Sequence, residues 1–441
     1  VGDSMGKVGL LQFDPTVGDL EQNVNRLSSL ATQAEQAGAT VGVSTELAVC
    51  GYPPRDLLME RDFVQRSMQA ALSMRTPLPI LIGTPIPAED DRTLPTNGVV
   101  RSGPVATSIT NDEHGRIVAE KQLLPTYDVF DEARYFAAKN RSGLARSFGG
   151  LTLGVTVCED AWQSAGMTPS SYAQDPIEHI AEWTRQGVDI HATVNLSASP
   201  FHTEKFTTRL AVARHAAAVL NHPFLLANQV GGNDDLLFDG RSLVVWPDGR
   251  AVVAPSWQEG VLVVDLEDAL ACTWVPSQAD DALCIGSSTL MVLEPGDDGS
   301  SFIDTIEELT NAVVTGLADY CRKSSIGSIV LGLSGGIDSA VAACVAAEAI
   351  GPANVTGLAM PSRHSSQHSI DDALHTAQAL GMQHHLHPID GMHTSVEATL
   401  EDVLATGHPV AGENLQARLR AIIVMGYANA NGSMAVTTGN K

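Results

Sequence analysis

The sequence predicts two α/β domains in tandem, the second of them a doubly wound parallel sheet. Three observations carry this. From Lys7 to about Leu266, short β-rich runs alternate with amphipathic helical stretches. From Asp268 to Ser301 that rhythm stops, and Pro276, Pro295, Gly296, Gly299 and five aspartates gather. After the break, the apolar run Ser328–Leu333 enters a double glycine and then a helical Ala340-Val341-Ala342-Ala343-Cys344, the pattern of a βα unit.

In the first domain, strands are expected over Val8–Phe13, Thr40–Ser44, Pro79–Thr84, Leu151–Val157, Asp189–Val194 and Pro223–Asn228. Helical spacing of apolar residues marks Asn23–Ala37, Asp62–Met74 and Glu204–Leu220. The second domain opens on a helix over Phe302–Cys321 and continues through Val355–Ala359, Ser369–Leu380, His384–His387 and Glu413–Ala430. The expected division is 5–267, a linker over 268–301, and 302–441. Val1–Ser4 stand ahead of Met5 and read as an addition to the natural start. Met434–Lys441 reads as a strand running into a polar turn, so further residues are expected beyond it.

Bulk properties narrow the function. With 441 residues and 44% hydrophobic content, the chain can bury full-sized cores. Its 26 basic and 51 acidic residues give a net charge of −25, and no Lys/Arg run exists to follow a phosphate backbone, which argues against nucleic acid. No apolar stretch has the length of a membrane span. The six cysteines, at 50, 158, 272, 284, 321 and 344, form no CxxC pair or disulfide framework, which fits a reducing cytoplasm.

Ser334-Gly335-Gly336-Ile337-Asp338-Ser339 lies between strand and helix, where unpaired N–H groups and the helix dipole attract anions. The hydroxyls of Ser334 and Ser339 are expected to add donors. No Gly-Lys-Ser/Thr ending places a lysine on β and γ phosphates, so the cradle suits released pyrophosphate. It resembles the loop of the ATP pyrophosphatases, which transfer AMP to a substrate oxygen.

In the first domain, Glu46, Lys121 and Cys158 each end an apolar run or open the loop after it, so a sheet could bring them to one rim. Chemically they form a complete set: a thiol nucleophile, a carboxylate for proton transfer, and an ammonium to lower the thiol pKa and stabilise an oxyanion. A dull reading stands beside it, since buried cysteines are usually core and loop Glu and Lys are usually solvated. The surrounding words decide. Glu46–Pro54, Leu123–Phe136 and Val157-Cys158-Glu159-Asp160-Ala161-Trp162 resemble, in order, the three catalytic segments of the nitrilase-like amidases. That family has an αββα sandwich and a Glu, Lys, Cys triad, which implies Glu46 as base, Lys121 as oxyanion partner and Cys158 as nucleophile.

An amidase fused to an ATP pyrophosphatase is similar to the glutamine-dependent NAD synthetases. Ser197–Pro200, Asn228–Gly232, Phe238–Gly240, Met360–Arg363, Glu413–Arg418 and Thr437–Lys441 extend the resemblance over nearly the whole chain. The resemblance implies glutamine hydrolysis in the first domain, ammonia passed along a sequestered path, and ATP-driven amidation of deamido-NAD in a Rossmann-like second domain. It implies Tyr127, Ser199 and Lys205 for glutamine. For ATP it implies Gly332, Ser334, Gly335, Gly336, Asp338, Ser339 and Thr438, with Mg²⁺ on Asp338 and deamido-NAD on Asn414. Arg418, one turn from Asn414, shares its face. Asp338 has a rival role as a helix N-cap, and Glu132 either orients the triad or sits on the surface. Arg363 and nearby serines are expected on the nucleotide rim. Zinc at His385 and His387 is disfavoured because no further ligand accompanies them at suitable spacing. The resemblance also implies at least a dimer.

Overall fold

A computed structural model describes residues 6–90, 92–104, 116–140, 143–169, 171–406 and 410–438. The chain divides into two compact units, Val1–Ala312 and Val313–Lys441.

The first unit begins with β1 (Lys7–Gln12), α1 (Leu20–Gln36), β2 (Ala39–Val43), α2 (Arg61–Ser73), β3 (Ile80–Ile86), β4 (Thr96–Ser102) and β5 (Ile117–Glu120). A second set follows: β6 (Gly143–Phe148), β7 (Leu151–Val157), α3 (Pro176–Arg185), β8 (Ala192–Ser197), α4 (Lys205–Leu220) and β9 (Phe224–Asn228). A hairpin of β10 (Val230–Asn233) and β11 (Leu236–Asp239) precedes β12 (Leu243–Val245), β13 (Ala251–Val253), β14 (Gly260–Val264), β15 (Thr273–Pro276) and β16 (Met291–Leu293). These build two seven-stranded sheets, ordered β15-β14-β1-β2-β3-β4-β5 and β16-β13-β12-β9-β8-β7-β6.

Alternation along the strands explains why two sheets stack and each also carries helices. Val8, Leu10, Val41 and Val43 of the first sheet share a core with Val155, Val194, Leu196 and Leu225 of the second. Leu11 and Ile82 turn the other way, onto Leu27 and Leu30 of α1 and Met68 of α2. Phe224 and Leu226 likewise turn outward onto Ile177 and Ile180 of α3 and Leu210 of α4. The result is the expected αββα sandwich. Local chemistry sets the helix starts: Asp19 accepts from Gln22 N–H ahead of α1, and Asp175 accepts from Glu178 N–H with Pro176 at the first turn of α3.

The stretch read as a linker, 268–301, is partly built into these sheets. β15 pairs with β14 and β16 with β13, each as an antiparallel edge strand. Runs this short, broken by proline and glycine, carry no period of their own and are selected by the open sheet edge beside them.

The helix α5 (Thr305–Lys323) leads to the second unit, where β17 (Ile329–Leu333), α6 (Ile337–Ile350), β18 (Val355–Ala359), α7 (Gln367–Leu380) and β19 (Gln383–Leu386) follow. α8 (Asp390–Thr399), α9 (Glu401–Thr406), α10 (Val410–Asn431) and β20 (Met434–Val436) complete it. The sheet is parallel throughout, ordered β19-β18-β17-β20. Ile329, Leu331 and Leu333 pack with Ala343 of α6 and Ala377 of α7, while Val330 faces Val424 and Ala428 of α10. Helices therefore cover both faces, as a doubly wound sheet requires.

Candidate active site

In the first unit, the ends of separate strands bring Glu46, Lys121 and Cys158 into one electrostatic cluster. Glu46 follows β2, Lys121 follows β5, and Cys158 follows β7. Lys121 is fully buried, and its Nζ donates to Glu46 Oε1 and Glu132 Oε1, both at 2.8 Å. Burial works against its charge, but Glu132 and Glu46 outweigh that and raise its pKa, so it remains an ammonium. Glu132 is buried, not on the surface. It also accepts from Tyr52 Oη at 2.9 Å, and burial raises its pKa against the pull of Lys121.

Cys158 has φ of 45°, a left-handed backbone that a non-glycine residue adopts only when its surroundings impose it. It is 5% exposed, and its thiol senses Glu46, Lys121, Glu132 and Glu159. The expectation that Lys121 leaves the thiol with a lowered pKa is corrected here. Lysine does pull it down, but burial and the Glu46 carboxylate push up harder, so the resting form is the thiol. A thiol beside carboxylates and a buried ammonium is a set that can support attack by sulfur with a carboxylate taking its proton.

Sequence reasoning missed the residues that aim Glu46. Asn97 on β4 donates from Nδ2 to Glu46 Oε1 at 2.7 Å, and the Ala198 N–H donates to Glu46 Oε2 at 3.1 Å. Asn97 also accepts the Lys121 N–H on its carbonyl at 2.7 Å, so one residue positions both base and lysine. The sequence gives little signal for it, since Asn97 is one of several polar residues in the strand Thr96-Asn97-Gly98-Val99-Val100-Arg101-Ser102.

Of the residues expected for glutamine, Tyr127 and Lys205 stand close enough to the cysteine to interact with it electrostatically. Tyr127 donates its hydroxyl to Glu159 at 2.8 Å, and Tyr172 approaches the same carboxylate at 3.4 Å. Ser199 is buried with a side-chain oxygen that has no partner. Lys205 opens α4, where the helix dipole disfavours a cation; its Nζ lies 4.4 Å from the centre of the Trp162 ring. Among the described residues no carboxylate comes within ion-pair distance of it, while burial and Arg209 lower its pKa. An ammonium and a helix N-terminus together form a place for a carboxylate.

In the second unit, β17 runs into Ser334 and Gly335, whose φ is 77° and whose Cβ, if it had one, would meet the Ser369 carbonyl oxygen at 2.3 Å. The two serine hydroxyls, expected to add donors, also bond within the loop. Ser339 Oγ donates to the Gly336 carbonyl at 2.8 Å and accepts the Ser334 N–H at 3.2 Å, and Ser334 Oγ accepts the Gly336 N–H at 3.2 Å. Gly336 is the N-cap of α6, so Asp338 does not cap; it stands exposed on the first turn. A cavity of about 360 Å³ adjoins the loop, lined by Gly332, Ser334, Ser339, Met360, Ser369 and Thr438, among others.

Arg420 also lines that cavity, held by a bond from Nε to the Met360 carbonyl at 3.0 Å. Sequence reading stopped at Arg418, which bonds its own helix at the Asn414 carbonyl; neither Asn414 nor Arg418 lines the cavity. Arg363 instead turns to Asp390, Thr394 and Glu397. His385 and His387 stack near Tyr427, and no group of metal-ligating side chains occurs among the described residues.

The fold and site define a carbon-nitrogen hydrolase joined to a nucleotide-using synthase, and comparison with known proteins agrees. The carbon-nitrogen hydrolase family matches residues 7–274 and the NAD synthase family residues 309–441. The glutamine-dependent NAD(+) synthetase of Synechocystis is 36% identical over 99% of this chain and 74% of its own length. That of Rhodobacter capsulatus is 37% identical over 99% and 72%. A solved structure of the Acinetobacter baumannii enzyme, in complex with adenosine diphosphate, superposes with a TM-score of 0.80 at 27% identity, covering 99% of this chain and 74% of that one. The chain belongs to the glutamine-dependent NAD(+) synthetases, whose reaction is the ATP-dependent amidation of deamido-NAD.

Proposed function

We propose that the first unit releases ammonia from glutamine at Cys158 and that the second uses ATP to join this ammonia to deamido-NAD. The observation that carries the reading is the buried Lys121 held between two carboxylates beside a thiol on a left-handed backbone. Glu46 takes the thiol proton as sulfur attacks the side-chain amide carbon, and Lys121 stabilises the oxyanion. On collapse, Glu46 returns the proton to the departing ammonia, leaving a thioester. Water, deprotonated by Glu46, then releases glutamate and restores the thiol. Glu132 keeps Lys121 charged and in place. Lys205 and the start of α4 receive the substrate carboxylate, Ser199 offers its unspent hydroxyl, and Tyr127 lines the approach.

In the second unit, the nicotinate carboxylate displaces pyrophosphate from ATP, and ammonia then displaces AMP from the mixed anhydride. Gly332, Ser334, Gly335, Gly336, Ser339 and Thr438 border the phosphates, a reading supported by the nucleotide in the Acinetobacter relative. The exposed Asp338 carboxylate is a hard oxygen donor beside the cradle and fits Mg²⁺, which when bound supplies charge to neutralise phosphate oxygens. Asn414 and Arg418, on the helix that brings Arg420 to the cavity, would meet deamido-NAD. Six free cysteines suit a reducing cytoplasm. Exposed Ile306, Leu309, Val313 and Tyr320 along α5 suit self-association into at least a dimer.

Incubation with ATP, Mg²⁺, glutamine and deamido-NAD is expected to yield NAD by mass. Cys158→Ala should abolish synthesis from glutamine and keep synthesis from ammonium salt. Loss of both would overturn this division of labour.

A further inference from the structure

We infer that Asp160 is a positioning residue that sets the approach of Cys158 to Lys121. The inference rests on the hydrolytic reading of the first unit but names a residue outside its reacting set. Asp160 is 2% exposed, and its two oxygens reach the backbone on both sides of the site. Oδ1 accepts the N–H groups of Gln122 and Leu123, each at 3.0 Å; these are the two residues that follow Lys121. Oδ2 accepts the N–H of Val157 at 3.1 Å, the residue that precedes Cys158.

One side chain thus fastens the exit of the lysine strand to the entry of the cysteine turn. Among the described residues no cation pairs with it, so the carboxylate is stabilised chiefly by backbone donors, and burial pushes its pKa up to about 7. A turn alone needs no such group, because serine or asparagine caps a helical turn at no cost of charge burial. Three donors arriving from two chain segments do need it. A carboxylate has acceptor capacity on both oxygens, whereas an amide turns one end into a donor that would face an N–H. The left-handed backbone of Cys158 gives the ties their purpose, since that conformation persists only where neighbouring contacts impose it.

The test compares the full chain with Asp160→Asn and Asp160→Ala. It reads glutamate release from glutamine, the rate of Cys158 alkylation by iodoacetamide, NAD synthesis from ammonium salt, and Tm. For Asp160→Asn, kcat for glutamine should fall on the order of 10–100-fold with KM changed less than about threefold, as expected for misplaced reacting groups. Alkylation should slow by about tenfold, and synthesis from ammonium should hold. Asp160→Ala should lose more than Asp160→Asn; where it does not fold, Asp160→Asn carries the comparison. A kcat within threefold of the parent, or a raised KM together with a fall in ammonium-driven synthesis and in Tm, would overturn the assignment. A parent that releases no glutamate would instead sink the hydrolytic reading, and the alkylation rates would still judge Asp160.

Discussion

Replacing Lys121 with methionine keeps most of the side-chain volume and removes the one charge that lies between Glu46 and Glu132. Both bonds are 2.8 Å long and fully buried, so two carboxylates lose a charge-assisted donor worth roughly 1.5–3 kcal/mol each. Leaving a buried charge without its partner costs about 3–5 kcal/mol. That cost depends on pH. The Glu132 carboxyl is already raised above its ordinary value by burial, and losing the lysine raises it further, so the variant takes up a proton in the folded state. A raised carboxyl contributes stability that is present below the unfolded value of about 4.3 and is lost as pH rises through the folded value. Urea denaturation should therefore show a penalty of about 3–5 kcal/mol at pH 8 and a much smaller one near pH 5. Glutamate release at pH 8 should fall at least 10³-fold or so, because the oxyanion partner is gone and the shared proton sits on the carboxylate pair. An equal stability loss at both pH values, or activity within tenfold of the parent, would refute the argument.

Gly335→Ala places a Cβ 2.3 Å from the Ser369 carbonyl at a positive φ, so ATP binding measured by calorimetry should weaken at least tenfold while glutamate release is unchanged. His222 donates to or accepts from Thr193 Oγ1 at 2.7 Å, and burial lowers its pKa to about 4. A depressed folded pKa means stability is full above the unfolded value of about 6.5 and is lost as pH falls toward 4, by on the order of 3 kcal/mol. His222→Gln should flatten that acid limb in urea titrations; an unchanged slope would show that another group governs it.

How far the sequence reached can be judged from single elements. Val8–Phe13 and Leu151–Val157 were legible as strands because they are short apolar runs bounded by turn residues, too short for a buried helix, and β1 and β7 occupy Lys7–Gln12 and Leu151–Val157. The cradle was legible because strand, double glycine and helix are contiguous, and β17 and α6 flank it as expected. β15 and β16 were not, since an edge strand of three or four residues is defined by its neighbour's free hydrogen bonds.

Periodicity by itself marked alternating strands and helices in both halves of the chain, because it is a property of neighbouring residues, and the resemblance of short motifs pointed to Glu46, Lys121 and Cys158 as the candidate reacting side chains. Tertiary structure alone decided what surrounds them. Asn97 reaches Glu46, and Asp160 reaches Gln122 and Leu123, only after segments distant along the chain align at one end of the sandwich, whereas Glu132 meets Lys121 from the loop that follows it. The charge state of the Cys158 thiol belongs to the same level. A lysine nearby suggested a lowered pKa, but the balance among desolvation, one cation and several carboxylates depends on distances and burial that no spacing records.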